Sequence, residues 1–177
     1  MEMEEPDMGM KVKSIFAFFI AASMVGASGI MAQDFLSAND LKPAKITEIT
    51  EFDGFRVFAR SDKDVTVEAM DPARTAEDGE VFNARIKLNG GGAPDYRAIG
   101  FSVKEKAKIA IYLNSSSKTD SRMLKFAKAD GAVLAELAAP PDDGKNAGKA
   151  TFDAPAAGVY VIYSAGSGIN LYQIVIE

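Results

Sequence analysis

Arg85 and Lys87 are the residues of this 177-residue chain whose placement first suggests chemistry. They stand two apart in Phe82-Asn83-Ala84-Arg85-Ile86-Lys87-Leu88-Asn89. In an extended strand both point to one side, and Phe82, Ala84, Ile86 and Leu88 point to the other. A guanidinium and an ammonium on one flat face make charge-assisted hydrogen bonds to carboxylates. Tyr112 falls on the polar side of a second alternating run, in which Ile109, Ile111 and Leu113 face inward. Asn114 and the loop Ser115-Ser116-Ser117 follow it. Folding the run through Ile99, Phe101 and Val103 back on the first would set Lys87 beside Ala98 and Arg85 beside Gly100. That arrangement leaves a shallow strip for a ligand. A face of Lys and Arg that only keeps the domain soluble fits the same pattern.

This chemistry is binding rather than turnover. The chain has no histidine and no cysteine. The commonest general base, the thiolate nucleophile, the usual zinc and copper ligands and disulfides are therefore all missing. Glycoside hydrolysis needs two facing carboxylates, but Asp62, Asp64, Asp71, Asp78, Asp142 and Asp143 fall in turns. Acids there serve backbone hydrogen bonding. The oxygen-rich segments 71–80 and 142–146 are the places for a structural Ca²⁺, though neither has EF-hand spacing and solvated turns explain both. No cofactor is expected. Gly90-Gly91-Gly92 lacks the Lys-Ser/Thr pair and the following helix of a phosphate loop, and reads as a wide hairpin turn. Arg97 and Arg122 share the parity of apolar neighbours, which favours internal ion pairs over ligand contact.

The elements that must hold these residues are strands. Lys11 and Lys13 precede an apolar run over residues 15–25 and small residues through Ala32, the pattern of a cleaved secretory signal peptide. The run is shorter than the roughly 20 residues of a membrane span. Residues 1–32 are thus an N-terminal extension plus signal peptide, 33–53 a lead-in segment with a short strand at 46–50, and 54–177 the domain. Export to the periplasm, cell surface or medium follows. A net charge of −5 argues against a nucleic-acid partner. Strands are predicted at 55–59, 65–69, 81–89, 96–103, 108–114, 122–127, 132–137, 149–154, 158–164 and 169–176. Turn clusters such as Asp71-Pro72, Asp130-Gly131 and Pro140-Pro141-Asp142-Asp143-Gly144 separate them. The expected fold is all-β, a jelly-roll-like antiparallel sandwich of about eight to ten strands.

The order Arg85-Ile86-Lys87-Leu88, Tyr96-Arg97-Ala98-Ile99, Ser115-Ser116-Ser117, Arg122 and Ser167-Gly168-Ile169-Asn170 resembles the β-sandwich modules appended to bacterial pectate lyases and related plant-polysaccharide enzymes. The likeness runs from about residue 55 to 176. It implies non-catalytic binding of a cell-wall or pectin-like polysaccharide, and with the basic face the expected ligand of this exported bacterial protein is an acidic or plant-type polysaccharide. Arg85, Lys87 and Tyr112 would form the binding face, with Ser116 and Asn170 contributing from nearby loops. Without tryptophan, stacking falls to Tyr112, Tyr163 and Tyr172. The alternative is a structural or adhesive envelope protein that uses a sheet face or strand edge for protein contacts. A small carbohydrate-active enzyme is the third reading.

Overall fold

The computed structural model describes residues 34–177, so the signal-peptide segment lies outside the described residues. Thirteen strands and one 3₁₀ turn run in the order β1 Asp34–Ser37, the turn Ala38–Asp40, β2 Ala44–Ile46, β3 Thr50–Phe52, β4 Phe55–Phe58, β5 Val65–Ala76, β6 Val81–Leu88 and β7 Ala98–Val103. They continue with β8 Ala107–Ser115, β9 Arg122–Lys128, β10 Val133–Ala139, β11 Asn146–Ala154, β12 Gly158–Ser164 and β13 Ile169–Ile176. The larger sheet has seven strands, β1, β2, β5, β6, β8, β11 and β13, and the smaller has six, β10-β9-β12-β7-β4-β3. The expected all-β sandwich is what forms. The three extra strands all come from residues 34–52, which add β1 and β2 to one sheet and β3 to the other, so the single short strand expected at 46–50 falls instead on the gap between β2 and β3. Asn39 ties this segment down, donating to the Val81 carbonyl at 2.9 Å and accepting from the Asn83 and Ala84 amides at 2.8 and 3.1 Å.

Alternation fills the space between the sheets. Val65, Val67, Ile86, Leu88, Ile109, Ile111 and Leu113 come from the larger sheet, and Phe55, Val57, Ile99, Phe101, Leu124, Phe126 and Ile162 from the smaller. Phe126 sits at the centre, with ring centroids of Phe152, Tyr160 and Phe101 at 4.0, 5.4 and 6.0 Å. In β13 the strict alternation breaks: Ile169 and Leu171 face the core, and then Ile174 does. A register shift between Leu171 and Gln173 absorbs the extra residue, as a β-bulge does.

Two expectations are corrected here. β6 and β7 do not form a hairpin, because β6 pairs with β5 and β13 while β7 pairs with β4 and β12. Lys87 faces Thr66 and Asn170, Arg85 faces Glu68, and Gly100 faces Arg56 and Val161. Gly90-Gly91-Gly92 is a crossover between the sheets. It lies so close to the β12–β13 loop that a Cβ on Gly91 would sit 3.2 Å from the Gly166 backbone. The second correction is Asp71-Pro72, which does not end a strand. β5 runs through it, and its register against β6 shifts between Ala69 and Arg74.

That shift has a large consequence. The β5–β6 hairpin bends over the outer face of its own sheet, and its far end pairs in parallel with Asn146 and Ala147 of β11. The larger sheet thereby closes into a hydrogen-bonded circuit, β13-β6-β5-β11-β8 and back to β13. Within it Phe82 stacks on Tyr172 at 5.3 Å and meets Tyr112 at 5.2 Å. Both faces of β8 are buried as a result, from Ile109 to Ser115. One close approach tests the curl. A Cβ on Gly148 would lie 2.3 Å from Pro140 Cγ and 2.8 Å from the Leu113 carbonyl oxygen. Gly148→Ala is expected to lower stability by about 1–3 kcal/mol in urea unfolding, the usual cost of overpacking.

Candidate functional site

The register of the larger sheet sets polar residues in rows on its outer face. Lys45, Thr66, Lys87, Asn170 and Asn114 are successive partners across β2, β5, β6, β13 and β8. A neighbouring row holds Glu68 and Arg85, with Tyr172 and Tyr112 beyond them. The first row passes from solvent to interior: the side chains of Lys45 and Lys87 are 65% and 34% exposed, whereas Asn170 is fully buried.

Glu68 organises the open end. Its carboxylate lies 2.6 Å from an Arg85 terminal nitrogen, 2.7 Å from Arg85 Nε and 3.8 Å from Lys87 Nζ. Asp64 closes the rim, accepting from Asn89 at 3.0 Å and lying 3.8 and 4.0 Å from Lys45 and Arg97. Arg97 thus faces an acid, but from a left-handed conformation (φ 47°) before β7 begins rather than from the strand's apolar side. Across this face the ion pairs among the described residues join Lys45, Arg74, Arg85, Lys87 and Arg97 to the three carboxylates Asp64, Glu68 and Asp142, with Asp143 acting on Arg74 from further off. The excess is cationic, in a chain whose net charge is −5.

Asp142 closes the other end. The loop between β10 and β11 lies over β8, and Asn114 Nδ2 donates to the Pro140 and Pro141 carbonyls at 3.3 and 3.0 Å. Its buried Asp142 carboxylate accepts from Arg74 at 2.6 and 3.2 Å and from Asn170 Nδ2 at 3.3 Å, and lies 3.8 Å from Arg85. Asn170 Oδ1 and the Tyr172 hydroxyl are buried beside it without a hydrogen-bond partner among the described residues. Burial raises the Tyr172 hydroxyl pKa above its ordinary value.

Arg85, Lys87 and Asn170 are therefore brought together, joined through Glu68 and Asp142. Tyr112 lies apart from them as a buried ring, and its hydroxyl donates to Asp78 at 2.6 Å. Tyr172 and Tyr163 are buried as well, so none of the three offers an open stacking surface. Ser116 is exposed at the end of β8, where Arg122 donates to its Oγ and to the Gly168 carbonyl. Ser116 N also donates to Gly168 O at 3.1 Å, so the Ser-Ser-Ser, Arg122 and Ser-Gly-Ile-Asn motifs interlock as a corner. In the oxygen-rich segments 71–80 and 142–146, Asp78 accepts from Lys149 at 2.8 Å, and Asp143 accepts from the Lys145 and Asn146 amides at 2.8 Å each. No group of three or more acidic side chains arranged for a metal occurs among the described residues. Glu68 was visible in the sequence as an outward position in alternating Val65-Thr66-Val67-Glu68-Ala69. Lys149 was visible in the same way, as the outward first residue of alternating Lys149-Ala150-Thr151-Phe152-Asp153-Ala154, whereas Asp142, in a turn cluster, carried no such signal.

Asp142→Ala is expected to cost about 3–5 kcal/mol, because it leaves the Arg74 charge buried and unpaired. The double change Arg74→Met/Asp142→Leu is expected to cost much less, a contrast that denaturant unfolding measures. Asp78 yields a pH prediction. The Lys149 ammonium first, and the Tyr112 hydroxyl second, hold its carboxyl down at about 2. The stability it contributes is present above its ordinary titration near pH 4 and is lost as pH falls towards about 2. Asp78→Asn is expected to flatten the stability profile across that window, leaving the contribution of Asp143, which its turn amides also hold at about 2.

No family model matches the chain, and no curated protein matches it by sequence. Solved structures with a similar arrangement include an arabinose-bound α-L-arabinofuranosidase, aligned over 85% of this chain and 27% of its own with a TM-score of 0.48 and 13% identity. The tandem family 51 carbohydrate-binding modules of a family 98 glycoside hydrolase from Streptococcus pneumoniae align over 89% of this chain and 51% of theirs, with a TM-score of 0.44 and 13% identity. A family 35 carbohydrate-binding module from Clostridium thermocellum aligns over 77% of this chain and 98% of its own, with a TM-score of 0.44 and 12% identity. This chain thus spans about a quarter of the arabinofuranosidase and about half of the tandem modules. TM-scores below 0.5 give no basis for transferring function, so function is read from the site's own geometry.

Proposed function

We propose that the chain is an exported, non-catalytic glycan-binding module that takes an acidic polysaccharide across the outer face of its larger sheet. The observation that carries this reading is the half-open polar row of Lys45, Thr66 and Lys87, with Arg85 and Glu68 beside it and cations in excess of carboxylates. Sugar carboxylates bond to Lys87 and to Arg85 in competition with the carboxylates that hold them, while Glu68 and Thr66 serve hydroxyls. With the tyrosines buried, little stacking contributes, so affinity is modest and falls with added salt. A non-catalytic role fits the chemistry present: the chain has no histidine or cysteine, and Asp78 stays ionised far below neutral pH, which does not suit it to general-acid work.

The pectin-like reading makes oligogalacturonate the first probe. Arg85→Ala/Lys87→Ala is expected to weaken its binding at least tenfold in calorimetry at low salt. Glu68→Gln, which releases both cations from their carboxylate, is expected to strengthen it. Retained affinity in the double variant, or no binding by the folded wild type, sinks the reading. A stable oligomer without glycan binding favours the adhesive alternative.

A further inference from the structure

A cleft of about 390 Å³ opens between the tip of the β5–β6 hairpin and the start of β11, lined by Glu77, Asp78, Ala147, Gly148 and Lys149. Lys149 stands opposite Tyr112 in the sheet, with its Nζ 4.7 Å from the centre of that ring and 2.8 Å from Asp78 Oδ2. The same oxygen accepts from the Tyr112 hydroxyl at 2.6 Å. Asp78 Oδ1 receives only a long 3.4 Å contact from the Glu80 amide. Lys149 donates to Asp78 and also engages the Tyr112 hydroxyl, which leaves one of the ammonium's three donors. A carboxylate oxygen with acceptor capacity and an ammonium with one donor left are thus fixed side by side in a half-open cleft of small-ligand size.

We propose that this cleft is a second glycan subsite, which takes two adjacent hydroxyls of an uncharged sugar. A hydroxyl both donates and accepts, so one accepts from Lys149 while its neighbour donates to Asp78 Oδ1. The electrostatics select against a charged ring. Glu77 and Asp78 place two carboxylates against one lysine here, the reverse of the cationic excess on the open strip. A divalent cation is a poor competitor, because the Lys149 ammonium already lies against Asp78. The buried cluster of Phe82, Tyr112 and Tyr172 belongs to the same sheet face as the strip, and Tyr112 marks the cleft side of it. This subsite rests on the glycan-binding reading but shares none of the strip's charged groups, so the two fail separately.

The test is titration of the full-length ¹⁵N-labelled chain with cellotriose, xylotriose and galactotriose, and separately with trigalacturonate. A neutral trisaccharide is expected to shift the amides of residues 77–79 and 147–149, to do so equally at low and moderate salt, and to stay bound when trigalacturonate is added. Lys149→Met keeps the side-chain stem over Tyr112 and removes the donors; Asp78→Asn keeps an acceptor for Tyr112. Each is expected to weaken the neutral sugar about tenfold, the loss of one such hydrogen bond. Shifts confined to residues 66–68 and 85–87, or displacement by trigalacturonate, overturn the second subsite and leave one acidic-glycan site. Unchanged neutral affinity in a folded Lys149→Met chain overturns it too, as does trigalacturonate binding with no response to any neutral sugar. Neutral binding at the cleft without trigalacturonate binding supports the subsite and overturns the acidic strip. No response to either probe overturns both.

Discussion

The Asp142 carboxylate is the contact on which the outer face of this sandwich depends. It joins Arg74 from the bent hairpin, Asn170 from β13 and, at longer range, Arg85 from β6, while its own loop covers β8. A buried pair of this kind is weak evidence for stability, since desolvation offsets much of the attraction, yet removing one partner is expensive. Its effect is positional. It sets where the covering loop ends and therefore where the polar row across the sheet becomes open to solvent.

The inner face follows simpler rules. Branched aliphatic residues alternate along the strands of the larger sheet, the smaller sheet sets Phe55, Phe101, Phe126 and Tyr160 among aliphatic residues of its own, and Phe126 joins the two through Phe152. Such a core holds the sheets together without specifying what lies on their outer faces. Those are decided by the turn in β5 after Ala69, which brings Phe82 down on Tyr112 and Tyr172. Phe82, Tyr112 and Tyr172 here form a second buried cluster, and charged groups are left at either edge.

Those two edges differ in sign. At the strip, Glu68 and Asp64 temper a surplus of cations; at the cleft, Lys149 tempers a surplus of acids. Paired charges of this type act less as bare ions than as oriented donors and acceptors. The exposed pairs add little to stability, and salt screens them.

The ten strands predicted from 55 onward all exist, because period-two alternation and turn residues are local properties that the chain carries with it. The polar side of β6, holding Arg85 and Lys87, was legible for the same reason. Pairing was not. Which strand lies beside which depends on closing loops between distant residues, and alternation is satisfied equally well by either sheet. Hence β6 and β7, neighbours in sequence, went to different sheets, and the glycine run between them became a crossover. Tyr112 faced outward as its parity required, but an outward residue is exposed only if nothing folds over it, and Phe82 does. The contacts that shape the site, Arg74 with Asp142 and Asp78 with Lys149, join residues 68 and 71 positions apart. No local pattern encodes such a meeting; it exists only once the sheet has curled.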